Sequence, residues 1–172
     1  MPNPFRTRIF TLGLLVSGLM VTNGILFSTH ASEVPTMPTD TKTVSDGLLR
    51  KQAHGDMDTV WARLLDAIKA TKAPIFSIVD HKANAQGVGL DMTGARVITF
   101  GNPAVGTALM QAAPEAALDL PLRMLVWESP NGVVISWNDP TWIAHRHGIT
   151  PSLEAIIKIR GLLETLSSTA AG

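Results

Sequence analysis

The chain has 172 residues, 45% of them hydrophobic, with 14 basic and 14 acidic residues and no Cys. That length accommodates one domain plus appendages, and the apolar share supports a core without marking an integral membrane protein. A formal net charge of zero argues against nucleic acid as a partner, and the lack of Cys excludes disulfides, iron–sulfur clusters, thiolate zinc sites and Cys nucleophiles.

Arg6 and Arg8 precede a mostly apolar run from Ile9 to Phe27, and Thr29-His30-Ala31 places small residues where a signal peptidase cuts. Residues 1–31 read as a secretory signal, with cleavage after Ala31. The alternative is an uncleaved anchor, because the run approaches the roughly 20 residues that span a bilayer. Arg6-Thr7-Arg8 is not a twin-arginine pair, which favours the general secretory route. Cleavage leaves 12 of the 14 basic residues against all 14 acidic ones. The protein is expected to be periplasmic or otherwise exported, or N-terminally anchored with membrane contact only through residues 1–31.

Residues 32–40 are rich in Pro, Thr and Ser and form a flexible linker. A single domain is expected over residues 41–166, followed by a frayed tail over 167–172. Thr41–His54 permits an edge strand. Asp58 is the expected N-cap of the first helix, whose Val60, Trp61, Leu64, Leu65 and Ile68 share one face; Pro74 bars its continuation. Ile75–Val79 is a strand by its β-branched and aromatic content, and it leads into a flexible loop at Asp80–Asn84. Arg96–Phe100 is the next strand. Asn102 caps a helix of one or two turns that begins at Pro103, and Glu115–Leu118 forms a turn. Leu122–Trp127 and Val133–Trp137 pair through Pro130-Asn131-Gly132, where Asn-Gly tolerates positive φ at both central positions. Asp139-Pro140 opens a short helix that stops at Gly148, and Thr150-Pro151 opens the last one. With hairpins in the middle and no repeating βαβ rhythm, the class is α+β: one antiparallel sheet with helices packed on one face.

Several of these turns carry a resemblance. Phe100-Gly101-Asn102-Pro103, Gly106-Thr107-Ala108-Leu109-Met110, Asp119-Leu120-Pro121-Leu122, Trp137-Asn138-Asp139-Pro140 and Arg146-His147-Gly148 occur in order, and Asp80-His81 fits the same pattern. The segment from about Lys42 to Leu163 resembles the family called domain of unknown function 302. That resemblance implies a β-α-β4-α fold similar to the TATA-binding-protein-like class, with a curved antiparallel sheet. It carries over no catalytic residues and no cofactor.

Five residues stand out as ligand-binding candidates: His81, Asn102, Thr107, Asp139 and His147. Asp80 beside His81 is a base-tuning or metal-orienting pattern, although adjacent strand residues point to opposite faces. His145 and His147 diverge by about 200° on a helix and do not chelate together, but either pairs with His81 if the helix unwinds at Gly148. His81 and His147 are the metal-ligand candidates. Met92, Met110 and Met124 follow no ligand spacing and read as core. Gly101-Asn102-Pro103 with Gly106-Thr107 is either a steering turn or an anion nest. Glu115, Asp119 and Glu128 show no recognisable pairing.

The leading expectation is a non-catalytic binding domain of the cell envelope, with a pocket between the curved sheet and the Asn102–Pro121 loop. Its ligand would be a small molecule, a metal ion or a tetrapyrrole. Two alternatives stand beside it. One is an enzyme using Asp80, His81 and His147 for acid–base or metal-assisted work. The other is a scaffold that homodimerises through a sheet edge or the Trp127/Trp137 surface.

Overall fold

The computed structural model describes residues 46–172. The expected signal, the linker and the first part of the edge segment lie outside the described residues. The elements run β1 (Leu48–Gln52), α1 (Met57–Ala70), β2 (Ile75–Asp80), α2 (His81–Gln86), β3 (Ala95–Phe100), α3 (Pro103–Ala112), a 3₁₀ helix (Pro114–Asp119), β4 (Leu122–Ser129), β5 (Gly132–Asn138), α4 (Pro140–Arg146) and α5 (Glu154–Ala171). Without the short helices this is β-α-β4-α. The strands form one antiparallel sheet in the order β1-β5-β4-β3-β2.

Residues paired across antiparallel strands project to the same side, so the register separates two faces. On one face, a row runs Leu49–Trp137–Met124–Ile98–Ile78 across all five strands. Its three central members are 0–4% exposed, whereas Leu49 and Ile78 at the ends are 37% and 50% exposed. The helical layer therefore covers the middle of the sheet and stops short of both edges. Val60, Leu64 and Ile68 of α1 and Ile156, Ile159, Leu163 and Leu166 of α5 supply that cover, at helical spacing. Each such side chain contributes about 1.5–3 kcal/mol on full burial.

Several local expectations are corrected. Asp56, not Asp58, caps α1 by accepting from the Thr59 N–H at 2.7 Å; Asp58 instead meets Arg96 at 2.6 Å. The segment after β2 is a short helix rather than a flexible loop, because the Asp80 carboxylate accepts from the Ala83 N–H at 3.0 Å. The Pro after Asn102 starts a ten-residue helix, longer than one or two turns. In the β4–β5 hairpin, the two loop residues are Pro130 and Asn131, and positive φ falls on Gly132 alone. Pro fixes the first loop position near −65°, so the left-handed residue comes at the end of the turn. The expected tail does not fray: α5 runs to Ala171, with Ser167, Ala170 and Ala171 buried. Small side chains permit this close approach. Ser167 satisfies its own hydroxyl on the Glu164 carbonyl, and the Ala171 carbonyl accepts from the His54 N–H at 2.8 Å.

Arg96 ties this architecture together at the base of β3. Its guanidinium donates to Asp80 of β2 at 2.9 Å and to Asp58 of α1 at 2.6 Å, and lies 6.0 Å from the Trp61 ring. The Ala83 N–H and then Arg96 hold the Asp80 carboxyl below the ordinary carboxylate range. A depressed folded value means that this stabilisation is complete above the unfolded value near 3.9 and disappears as pH falls through the lower folded value. Asp80→Asn keeps a capping oxygen but removes the titration. Melting curves between about pH 5 and pH 2 are expected to fall less steeply for this variant than for the parent.

Candidate functional site

A groove of about 490 Å³ opens at the end of the sheet where β3 gives way to α3. Gly101, Asn102 and Pro103 form its rim, and Val105, Gly106, Thr107 and Met110 of α3 form one wall. Ala117, Leu120 and Pro121 close the second wall; Ile159 and Leu162 of α5 close the third. Local sequence builds the first wall. Asn102 accepts from the Ala104 N–H at 2.9 Å, and Pro103 sits at the first helical position, so α3 starts immediately off the strand. Gly106 then faces Leu120 without filling the space between: a Cβ there would lie 3.7 Å from Leu120 Cδ1. Neither Gly101 nor Gly106 adopts positive φ, so this turn lacks the alternation of an anion nest and steers the chain instead.

The polar lining is sparse. Asn102, with one amide oxygen engaged in the cap, Thr107 and Lys158 are the polar side chains among the groove residues. Lys158 pairs with Glu154 at 2.6 Å one turn back on α5. An apolar wall with a few polar groups at its rim suits a molecule that is mostly hydrocarbon with one polar end.

The five candidate residues do not gather in one place. Asn102 and Thr107 line the groove. His81 lies on the open face of the sheet, away from Asp80, which points to Arg96. Asp139 caps α4 by accepting from the Thr141 N–H at 2.8 Å, and its own N–H donates to the Gly47 carbonyl at 2.8 Å. His147 is committed to Asp119: Nε2 lies 2.6 Å from Oδ2, with side chains only 4% and 6% exposed. Arg146 reaches the other oxygen of Asp119 at 3.3 Å and lies over the Trp142 ring at 5.5 Å. The pairing of Asp119 corrects its reading as an unpaired acid. His81 and His147 are thus not brought together as a metal pair. Among the described residues, no group of three or more His, Asp or Glu side chains forms a ligand set. Trp127 and Trp137 do not share a surface either: Trp137 pairs with Met124 on the core face and Trp127 with Val134 on the other.

Sequence reading missed Lys158, Ile159 and Leu162 in the groove and the partner of His147. The α5 residues carried no signal beyond an ordinary amphipathic stripe. The Asp119 pairing did have one, since Asp119 and Arg146-His147 belong to two of the turn segments that carry the resemblance.

A five-stranded antiparallel sheet with one helical layer and an end groove defines an α+β fold for the described residues. The chain belongs to the family described as domain of unknown function DUF302, whose model matches residues 49–166. It is similar to the crystal structure of an uncharacterized conserved DUF302 protein from Bacillus stearothermophilus, with a TM-score of 0.65 at 17% identity, covering 73% of this chain and 99% of the other. It is also 31% identical over 150 residues to proteins named fluoride-specific ion channel FluC 1 in Brucella suis and Brucella abortus. Those matches take in 86% of this chain but only 59% and 56% of the relatives' length, and the channel name belongs to those longer chains. Among the described residues, no helix is long and apolar enough to cross a membrane.

Proposed function

We propose that this protein is a non-catalytic binding domain of the cell envelope that holds a small, mostly apolar molecule in the groove between α3, the 3₁₀ helix and α5. The observation that carries the reading is the groove itself: about 490 Å³, walled by aliphatic side chains, with Asn102, Thr107 and Lys158 at its polar positions. A volume of this size matches small-molecule sites, which lie within about 300–1,000 Å³. Among the described residues no His lines the groove, so the reading narrows from metal or tetrapyrrole to an organic ligand with a hydrogen-bonding or anionic end. Export rests on the positive n-region, the apolar run and the small residues before Ser32.

A fluorescent polyene fatty acid, cis-parinarate, tests this reading by titration into the purified protein. Saturable binding is expected. A Cβ at Gly106 already meets Leu120 at 3.7 Å, so the rest of the side chain in Gly106→Leu must occupy the groove itself, and the variant is expected to weaken binding about tenfold or more. Absence of saturable binding, or equal binding by Gly106→Leu, overturns the assignment.

A further inference from the structure

The face of the sheet opposite the helices holds a second hollow, of about 610 Å³. Its floor follows from the register. One row runs Arg50–Ser136–Leu125–Val97–Val79 across all five strands. Beside it on one side lies the pair Trp127–Ala95, and on the other Arg123–Thr99. The middle of the hollow is therefore a flat aliphatic strip, flanked by an indole and a guanidinium. Ser136 and Val134 on β5 are only 7% and 8% exposed, and Trp127 lies against both, as the hydrogen-bond partner of the first and the register partner of the second. The Trp127 indole is fixed in place, because its N–H donates to the Ser136 hydroxyl at 3.0 Å.

Among the described residues, the charged side chains that line this hollow are Arg50 and Arg123, with no Asp or Glu, and the His81 imidazole lies beside them. Arg50 is engaged by Asp46 at 2.6 Å. Among the described residues, Arg123 has a single long hydrogen bond, to the Leu118 carbonyl at 3.3 Å, and its side chain is exposed. His81 is exposed, and its side chain makes no hydrogen bond or ion pair among the described residues. A guanidinium with spare donors, set beside a flat apolar strip and an immobilised indole, recognises a planar apolar body that carries a carboxylate or sulfonate.

We propose that the open face of the sheet is a second binding site, separate from the groove, for a small aromatic anion that lies over Leu125 and Val97 against Trp127 with its charge on Arg123. The site stands independently of the groove, since the two hollows share no lining residue.

The test uses 1-naphthoate as the probe and two-dimensional NMR of the ¹⁵N-labelled protein as the readout. Titration is expected to shift the Trp127 indole N–H and the amides of Leu125, Val97 and Ser136 together. Arg123→Glu at an exposed position is expected to weaken binding about tenfold or more. Gly106→Leu, which fills the other hollow, is expected to leave it unchanged. Neutral 1-naphthamide is expected to bind about tenfold or more weaker than the anion. Shifts confined to the groove residues, no saturable shift at all, or equal affinity for the amide or for Arg123→Glu would each overturn the proposal. A groove that fails to take cis-parinarate while Trp127 still responds to naphthoate separates the two sites.

Discussion

His147→Ala is expected to destabilise the protein by about 3 kcal/mol, a large fraction of the roughly 5–15 kcal/mol that holds a domain of this size. The reason lies in what the substitution leaves behind. Asp119 is 6% exposed, and its Oδ2 loses a partner at 2.6 Å. Arg146 remains, but at 3.3 Å to the other oxygen and with a side chain 46% exposed. A buried carboxylate with one weak partner bears most of its desolvation cost unmet. The reverse truncation is gentler. Asp119→Ala leaves the imidazole without its partner, so its expected cost is about 1–3 kcal/mol, that of an unsatisfied buried polar group. The double variant is expected to cost less than the sum of the two, with a coupling of about 1–3 kcal/mol. Denaturant unfolding of the three proteins checks the ordering. A cost for Asp119→Ala above that of His147→Ala would mean that the imidazole, not the carboxylate, is the group that needs its partner. The pair also reaches the groove, because Asp119 ends the 3₁₀ helix whose Ala117 lines one wall. His147→Ala is therefore expected to weaken cis-parinarate binding even at temperatures where it remains folded.

The fold was legible where one residue type dominates the local energetics. Pro103 and Pro140 after Asn102 and Asp139 announced two helix starts that the structure has at those positions. The stripe in α1 was equally plain, since burial of one helix face sets a period of 3.6. The cap of α1 was placed two residues late: Asp56 accepts from the Thr59 N–H, whereas Asp58 meets Arg96, 38 residues further along the chain. The helical tail was missed because Ser-Thr-Ala sequences have weak local preference, and its burial depends on β1 and the turn at His54. The site was half legible. Asn102 and Thr107 sit on the wall built by their own segment, whereas Lys158, Ile159 and Leu162 arrive from a helix some 50 residues later in the chain. His81 and His147 shared nothing but their chemistry. Only the hollow on the open face shows where the first lies, and only tertiary packing shows that the other is spoken for by Asp119.

Phe100→Ala is expected to cost about 3–5 kcal/mol, as much as any single change in the core. Phe100 is wholly buried on the helix face of β3, between its register partners Leu122 and Ile75. It ends the strand immediately before Gly101, where the groove begins. Truncation removes a large apolar side chain and leaves a void that the neighbouring strands, fixed by their ladder on both sides, close only in part. A control on the same face separates burial from chemistry. Ile78 pairs with Ile98 in an adjacent row but is 50% exposed, since the helical layer does not extend over β2. Ile78→Ala is expected to cost about 1 kcal/mol or less, because only half of its area leaves water on folding. Urea unfolding of both variants gives the comparison. A difference below about 1 kcal/mol between them would mean that helices cover the β2 edge in solution, contrary to the exposure of Ile78. The expected gap of about 2 kcal/mol or more places the centre of the core against β3 and β4, directly behind the floor of the open-face hollow. The proposed ligand on that face would then lie on strands backed by the core, where preorganised walls lose little conformational freedom.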